Sequence, residues 1–428
     1  PTPTSAFAPV FSVQQFVGTG VFDVEYRYNK DAEMGDLDLD GDLDVFNPVS
    51  RSLGVDDQIV VNNGFAQSFV PNSAVYHNTS TDALPGADDH DLHGANATYD
   101  ADFADVDNDG DLDIIDIKGH GPFTGATAVA WMRVSYNHAS STPEVANDFF
   151  FEDQAGTFST ALPTTPSADP SAFPDHVYAT DNAGVLVRDA SGNFVLDLDD
   201  LDVGDVDGDG DLDIVVANRE LHTPPLDQNH NVLVVNLGFE QGGPLGYFRA
   251  QYLPEPIDDS THDIRFIDAD QDGDLDVILC NYECPRLPCP PVRVLLNDYI
   301  SGGSITGSLT FSTQASLTPA VDQCVTVEVL DADEDGDLDF ILGRYVTLGF
   351  EDHVVLAVND RGSFTTTSVF DLGGASFPTG FYASAQGDFN IDGHTDVFLS
   401  NLSEVYHPVI LINDGSGVFS NAMVGGFG

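Results

Sequence analysis

Six copies of a nine-residue acidic pattern constrain the fold of this chain more than any other feature. They read DLDLDGDLD from Asp36, DVDNDGDLD from Asp105, DVDGDGDLD from Asp205, DADQDGDLD from Asp268, DADEDGDLD from Asp331 and DFNIDGHTD from Asp388. Their start-to-start spacings of 69, 100, 63, 63 and 57 residues mark a repeated unit that buries its faces against its neighbours. Aspartate is ill suited to the interior of a helix or strand, so each copy belongs in a turn. An extended apolar stretch precedes it (DIRFID, CVTVEVLD), and a short β-branched run follows at once (DIVVAN, DVILCN, DFILGR, DVFLSN). A third apolar run ends in Asn (VLVVN, VRVLLN, VVLAVN, VILIN), and a Phe-led segment such as SFTTTSVF makes a fourth.

Four antiparallel strands per unit, repeated about an axis, predict an all-β propeller, whose closure removes open sheet edges. The whole chain, 1–428, reads as one such domain of six blades. Residues 1–25 contain VFSVQQF, a candidate closing strand, and residues 163–195 form an insertion that explains the 100-residue spacing. A seventh, degenerate blade inside that insertion is the alternative.

The pattern also specifies chemistry. Oxygens at places one, three and five, a backbone carbonyl at place seven and a carboxylate at place nine can wrap one hard cation, with Gly at place six permitting the sharp turn. The predicted ligand sets are Asp36, Asp38, Asp40, Asp42 and Asp44; Asp105, Asp107, Asp109, Asp111 and Asp113; Asp205, Asp207, Asp209, Asp211 and Asp213; Asp268, Asp270, Asp272, Asp274 and Asp276; Asp331, Asp333, Asp335, Asp337 and Asp339; and Asp388, Asn390, Asp392, His394 and Asp396. Calcium, which accepts six to eight oxygens at flexible geometry, fits better than Mg²⁺, and about six ions are expected. No copy carries the Glu at place twelve of an EF-hand, and strand-like residues flank every loop. The sixth loop, with neutral Asn390, is expected to bind most weakly. Leu at place eight in five copies is expected to plug the loop into the sheet interior.

Net charge is −58, with 71 acidic residues against 13 basic ones. Such a surface repels nucleic acid and anionic lipid, and no apolar run is long enough to insert in a membrane as a helix. Four clustered cysteines, Cys280, Cys284, Cys289 and Cys324, lack paired zinc-knuckle spacing and read as two disulfides of undetermined connectivity, hence a secreted or cell-surface protein. A chain that starts at Pro1 fits removal of a targeting segment.

The repeated DxDxDGDxD loop, the strand after it and the downstream Asn and Phe segments resemble the FG-GAP or VCBS repeats of integrin-α-type propellers and their bacterial secreted relatives. That resemblance implies calcium loops on the lower face, between strands one and two, and ligand contacts on the upper face. It implies architecture strongly and activity weakly. On the upper face the expected ligand-binding residues are Arg219, His222, His262, Arg265, Arg344 and Tyr345, and no catalytic residue is assigned. These point to a recognition or adhesion module for a glycan or an extracellular protein. The same residues could serve a polysaccharide lyase, which needs Arg to neutralise a uronate and His or Tyr to move a proton. Self-association into a surface layer or filament is a third reading. Nucleophile-elbow, phosphate-loop and zinc-hydrolase motifs are absent from the sequence.

Overall fold

A computed structural model of the chain describes residues 32–47 (other than 38, 40 and 42), 58–62, 69–71, 97–119, 131–137, 151–152, 176–177, 198–219, 231–236, 248–253, 260–282, 290–301, 304–305, 310–346, 353–370, 379–401 and 408–423. Among these residues every regular element is a β-strand and all strand pairs are antiparallel.

Six sets of four antiparallel strands, called sheets one to six below, follow one another in sequence among the described residues, each laid out in chain order; the last two join into one eight-stranded sheet, and a separate ribbon pairs Ile300–Ser301 with Ser304–Ile305. Sheet one holds Glu33–Gly35, Asp44–Asn47, Gln58–Asn62 and Phe69–Pro71. Sheet two holds Ala97–Ala104, Asp113–Gly119, Trp131–Asn137 and Phe151–Glu152. Sheet three holds Leu198–Gly204, Asp213–Asn218, Val232–Asn236 and Phe248–Tyr252. Sheet four holds Thr261–Ile267, Asp276–Asn281, Arg293–Asn297 and Phe311–Ser316. Sheet five holds Cys324–Leu330, Asp339–Val346, Val354–Asn359 and Phe364–Phe370, and sheet six Thr379–Gly387, Asp396–Asn401, Val409–Asn413 and Phe419–Met423.

The β-branched run after each acidic loop becomes the second strand, and its lack of apolar/polar alternation has a direct cause. In sheets three and four both faces are buried, because sheets two to five each lie between two others. In sheet three, Ile214 and Val216 face a core shared with Ile115, Ile117 and Met132 of sheet two. Val215 and Ala217, one residue out of phase, face Ile264, Val277 and Leu279 of sheet four. The same alternation joins sheets four and five through Ile278, Val294, Phe340 and Leu342, and sheets five and six through Ile341, Leu356, Phe381 and Leu399. Sheets one and two share Leu37, Phe46, Ala101 and Ile114. Face-to-face stacking of successive four-stranded sheets is the propeller arrangement, and burying each such side chain contributes roughly 1.5–3 kcal/mol.

First strands of successive sheets lie side by side at the inner edge. Each of those in sheets two to six has a register shift near its start, at Thr98/Asp100, Leu198/Leu201, Thr261/Asp263, Cys324/Thr326 and Phe381/Ala383. In sheets two, three and four, an aspartate at that shift reaches the next first strand. The carboxylates of Asp100, Asp200 and Asp263 accept the backbone N–H groups of Leu201, Ile264 and Val327 at 2.8, 2.8 and 3.0 Å. Thr326 and Ser384 continue the row with a hydroxyl pair at 3.0 Å.

Two covalent or ladder links add to the stacking. Cys280 on the second strand of sheet four is disulfide-bonded to Cys324 on the first strand of sheet five, which settles one of the open connectivities. Sheets five and six are joined by Tyr345↔Gly380 and Val346↔Thr379 pairing. Within the predicted insertion, His176–Val177 pairs with the third strand of sheet two, Val177 opposite Met132 and His176 opposite Arg133. The candidate closing strand at 1–25 and the cysteines Cys284 and Cys289 lie outside the described residues.

Replacing Cys280 and Cys324 together by Ser removes a cross-link spanning 44 residues. The chain-entropy cost of that loop is about 4 kcal/mol, so the melting temperature should fall measurably under oxidising conditions. A melt unchanged by the double substitution would contradict a stabilising role.

Candidate metal centres and the opposite face

Each acidic pattern is the turn between strand one and strand two of its sheet. The turn needs left-handed backbone twice. At place six, Gly41, Gly110, Gly210, Gly273, Gly336 and Gly393 have φ between 93° and 97°. A Cβ at Gly110, Gly210, Gly336 or Gly393 would meet nothing within 4 Å, so glycine is there for its backbone freedom and not for space. At place four, Leu39, Asn108, Gln271 and Glu334 all have φ of 59°, and Ile391 63°.

This curl turns backbone N–H groups inward, onto the carboxylates. Asp105 accepts from Asp109 and Gly110 at 3.0 and 2.9 Å, and Asp205, Asp331 and Asp388 repeat the arrangement. At place five, Asp109, Asp209, Asp272, Asp335 and Asp392 each accept the N–H of place seven. At place nine, one oxygen accepts the N–H of place two: Leu37 to Asp44, Val106 to Asp113, Val206 to Asp213, Ala269 to Asp276, Ala332 to Asp339 and Phe389 to Asp396, at 2.8–3.0 Å.

Carboxylates at places one, three and nine thereby converge. In the sets Asp105/Asp107/Asp113, Asp205/Asp207/Asp213, Asp268/Asp270/Asp276 and Asp331/Asp333/Asp339, one oxygen from each residue lies within 4.8 Å of the others. Buried oxygens of Asp268, Asp270 and Asp333 take no hydrogen bond. Such groups are costly unless something positive meets them, and three hard anionic oxygens at this spacing fit a divalent cation. In loop six Asn390 leaves only two carboxylates at places one, three and nine. Asp36 and Asp44 of loop one are described, whereas Asp38, Asp40 and Asp42 lie outside the described residues.

Two details depart from expectation. Leu at place eight does not enter its own sheet. Leu43 and Leu338 are exposed, while Leu112 and Leu275 pack on Gly35 and Gly204, at the ends of the preceding first strands. The buried plug is place two, with Leu37, Val106, Val206, Ala269 and Ala332 fully covered. Place seven also has side chains with structural work: Asp111, Asp211, Asp274 and Asp337 are buried, and Asp211 accepts from the Asn108 amide of the preceding loop at 2.7 Å. His394 at this place pairs with Glu334 of loop five, which raises the imidazole pKa.

At the opposite ends of the strands, the structure brings together a subset of the predicted residues. Buried Asp199 receives Arg219 at 3.4 Å and His262 Nε2 at 3.2 Å. His262 packs edge-on against Tyr282 and Tyr382, and Tyr345 packs against both tyrosines, with centroid distances of 5.2–6.0 Å. The group spans sheets three to six. Arg344, beside Tyr345, is paired with Asp322 at 2.6 Å. Arg265 does not join it. It sits mid-strand, held by Asp200 at 2.6 Å and Asp263 at 3.2 Å, and these carboxylates keep it charged. His222 lies outside the described residues. Asp199, Tyr282 and Tyr382 were not expected from sequence; an aromatic at the end of the second strand, one residue past it in CNY and within it in GRY, is the signal for two of the three tyrosines.

Burial raises the carboxyl pKa of Asp213 and Asp276 to about 8 and of Asp339 to about 6. A native group that keeps its proton above the unfolded pKa binds more protons than the unfolded chain, so stability falls as pH rises between the two values. Cation-free protein should therefore be more stable at pH 5 than at pH 8.5, the loss running mostly through pH 4–8. Thermal melts in chelator across that range check this, and a melt that rises with pH would contradict it.

No curated protein sequence matches the chain significantly. Among solved structures, the periplasmic gluconolactonase of Pseudomonas aeruginosa aligns over 88% of this chain and 80% of its own, at 12% identity and a TM-score of 0.46. Residues 205–279, which run from the third acidic loop through the second strand of sheet four, match the FG-GAP-like repeat family.

Proposed function

We propose that the chain is an extracellular calcium-binding propeller whose upper face recognises a glycan. The observation that carries the metal part is the convergence of three carboxylates in each of four loops, with buried oxygens at Asp268, Asp270 and Asp333 that accept no hydrogen bond. Asp268, Asp270 and Asp276 would hold one ion and Asp331, Asp333 and Asp339 another, with Asp105/Asp107/Asp113 and Asp205/Asp207/Asp213 as equivalents. Bound calcium would cancel carboxylate repulsion, which is of order 1 kcal/mol per exposed pair and greater for buried ones. Loops one and six would complete the expected set of about six. The Cys280–Cys324 disulfide fits an oxidising compartment, outside the cell or in a periplasm. No helix among the described residues is long and apolar enough to cross a membrane.

The recognition part rests on the tyrosine group. Tyr345 and Tyr382 are half-buried and can present ring edges and faces, with the buried rings of Tyr282 and His262 packed behind them, and Arg219 and Arg344 lie at the margin of the group. Aromatic rings with a polar handle suit the apolar face and hydroxyl rim of a sugar. A second reading, a lyase on acidic polysaccharide, is favoured by the Asp199–His262 pair, a carboxylate orienting an imidazole.

Two measurements test these readings. Chelation followed by verified metal removal should lower the melting temperature by several degrees, and calcium should restore it; an unchanged melt would remove the calcium reading. Tyr345→Ala should weaken retention on immobilised acidic polysaccharide about tenfold without altering the melt. Appearance of unsaturated products absorbing in the near ultraviolet would favour the lyase instead.

A further inference from the structure

The acidic loops are not independent. The Asn that ends the third strand in each of sheets three to six links two of them. Its backbone N–H donates to the place-nine aspartate of its own sheet: Asn236 to Asp213, Asn297 to Asp276, Asn359 to Asp339 and Asn413 to Asp396, at 2.7, 2.7, 2.8 and 2.9 Å. Its side-chain amide donates to the place-two carbonyl of the preceding loop: Asn236 to Val106, Asn297 to Val206, Asn359 to Ala269 and Asn413 to Ala332, at 2.8–2.9 Å. The place-two N–H in turn donates to the place-nine aspartate of that loop.

The result is one unbroken run of buried hydrogen bonds from Asp113 to Asp396, crossing four sheet boundaries and touching one carboxylate of every cage on the way. A second, outer row joins some of the same loops, through Asn108 to Asp211, Gln271 to the Gly336 carbonyl at 2.8 Å, and Glu334 to His394.

We infer that this asparagine relay couples the metal sites, so that filling one loop raises the affinity of the next. The inference rests on the calcium reading above. A cation that fixes Asp276 fixes the Asn297 backbone N–H bonded to it, and the Asn297 side chain then holds the carbonyl of Val206, the residue whose own N–H sets Asp213. Ordering shared by two sites opposes the first binding event fully and the second only in part, which is positive cooperativity. The opposing term, loss of negative potential when a neighbouring site fills, is screened by salt over about 10 Å, whereas the buried hydrogen bonds are not.

The test is calorimetric titration of metal-stripped protein with calcium, at physiological salt, for the native chain and for Asn297→Ala and Asn359→Ala. Alanine keeps the N–H on the aspartate and deletes the cross-sheet donor, together with the amide's bonds inside its own sheet, to the Leu275 carbonyl and the Tyr299 N–H for Asn297 and to the Leu338 carbonyl and the Gly362 N–H for Asn359. The native isotherm should be steeper than independent sites allow, with adjacent sites coupled about fivefold or more. Each variant should bind the same number of ions along a shallower isotherm. Calcium bound as independent sites by the native chain would overturn the relay while leaving the calcium reading intact, and so would steepness unchanged in both variants. Absence of calcium binding by equilibrium dialysis would instead defeat the calcium reading itself. If the variants fail to fold, as read by circular dichroism, the native isotherm decides alone.

Discussion

The aspartate at the ninth place of each loop is the fixed point of this architecture. One oxygen holds the turn between the first two strands, by way of the place-two N–H. In sheets three to six the other holds the end of the third strand, by way of the Asn N–H. A single side chain therefore sets the spacing of three strands. Because Asp213, Asp276, Asp339 and Asp396 are nearly fully buried, water cannot substitute for either amide.

The same burial creates the chain's main electrostatic problem. Several carboxylates per loop are withdrawn from water and set against one another, in a molecule with only 13 basic residues. Burial raises the pKa of Asp268, Asp270 and Asp333 as well as that of Asp213, Asp276 and Asp339. Among the described residues, Arg265, Arg219 and Arg344 are committed elsewhere, to Asp200, Asp199 and Asp322. Protons or a metal ion must supply the compensation, and the two alternatives answer oppositely to pH.

Much of this was legible in the sequence because the repeat fixes register. Place six had to be Gly, and φ near 95° at every copy shows why. The uninterrupted apolar second strands announced burial on both faces. What the sequence left open depends on neighbours far away in the chain. Asn at the end of strand three was visible as a pattern, but its amide bonds a carbonyl 81 to 130 residues earlier. Nothing in the sequence marks Asp100, Asp200 and Asp263 as inter-sheet acceptors, because a register shift aims each at the next first strand. That shift also accounts for Arg265, two residues beyond Asp263 and turned to the same acidic row instead of the upper face. Cys280 and Cys324 could be paired only once sheets four and five were known to adjoin.

The central claim is that these carboxylate cages exist to hold divalent cations. A crystal structure of protein grown in millimolar calcium, with anomalous differences collected at long wavelength, addresses it directly. The account predicts a peak bounded by the places-one, -three and -nine oxygens in each of the four loops from Asp105, Asp205, Asp268 and Asp331. Cages without anomalous density at that calcium concentration would contradict it.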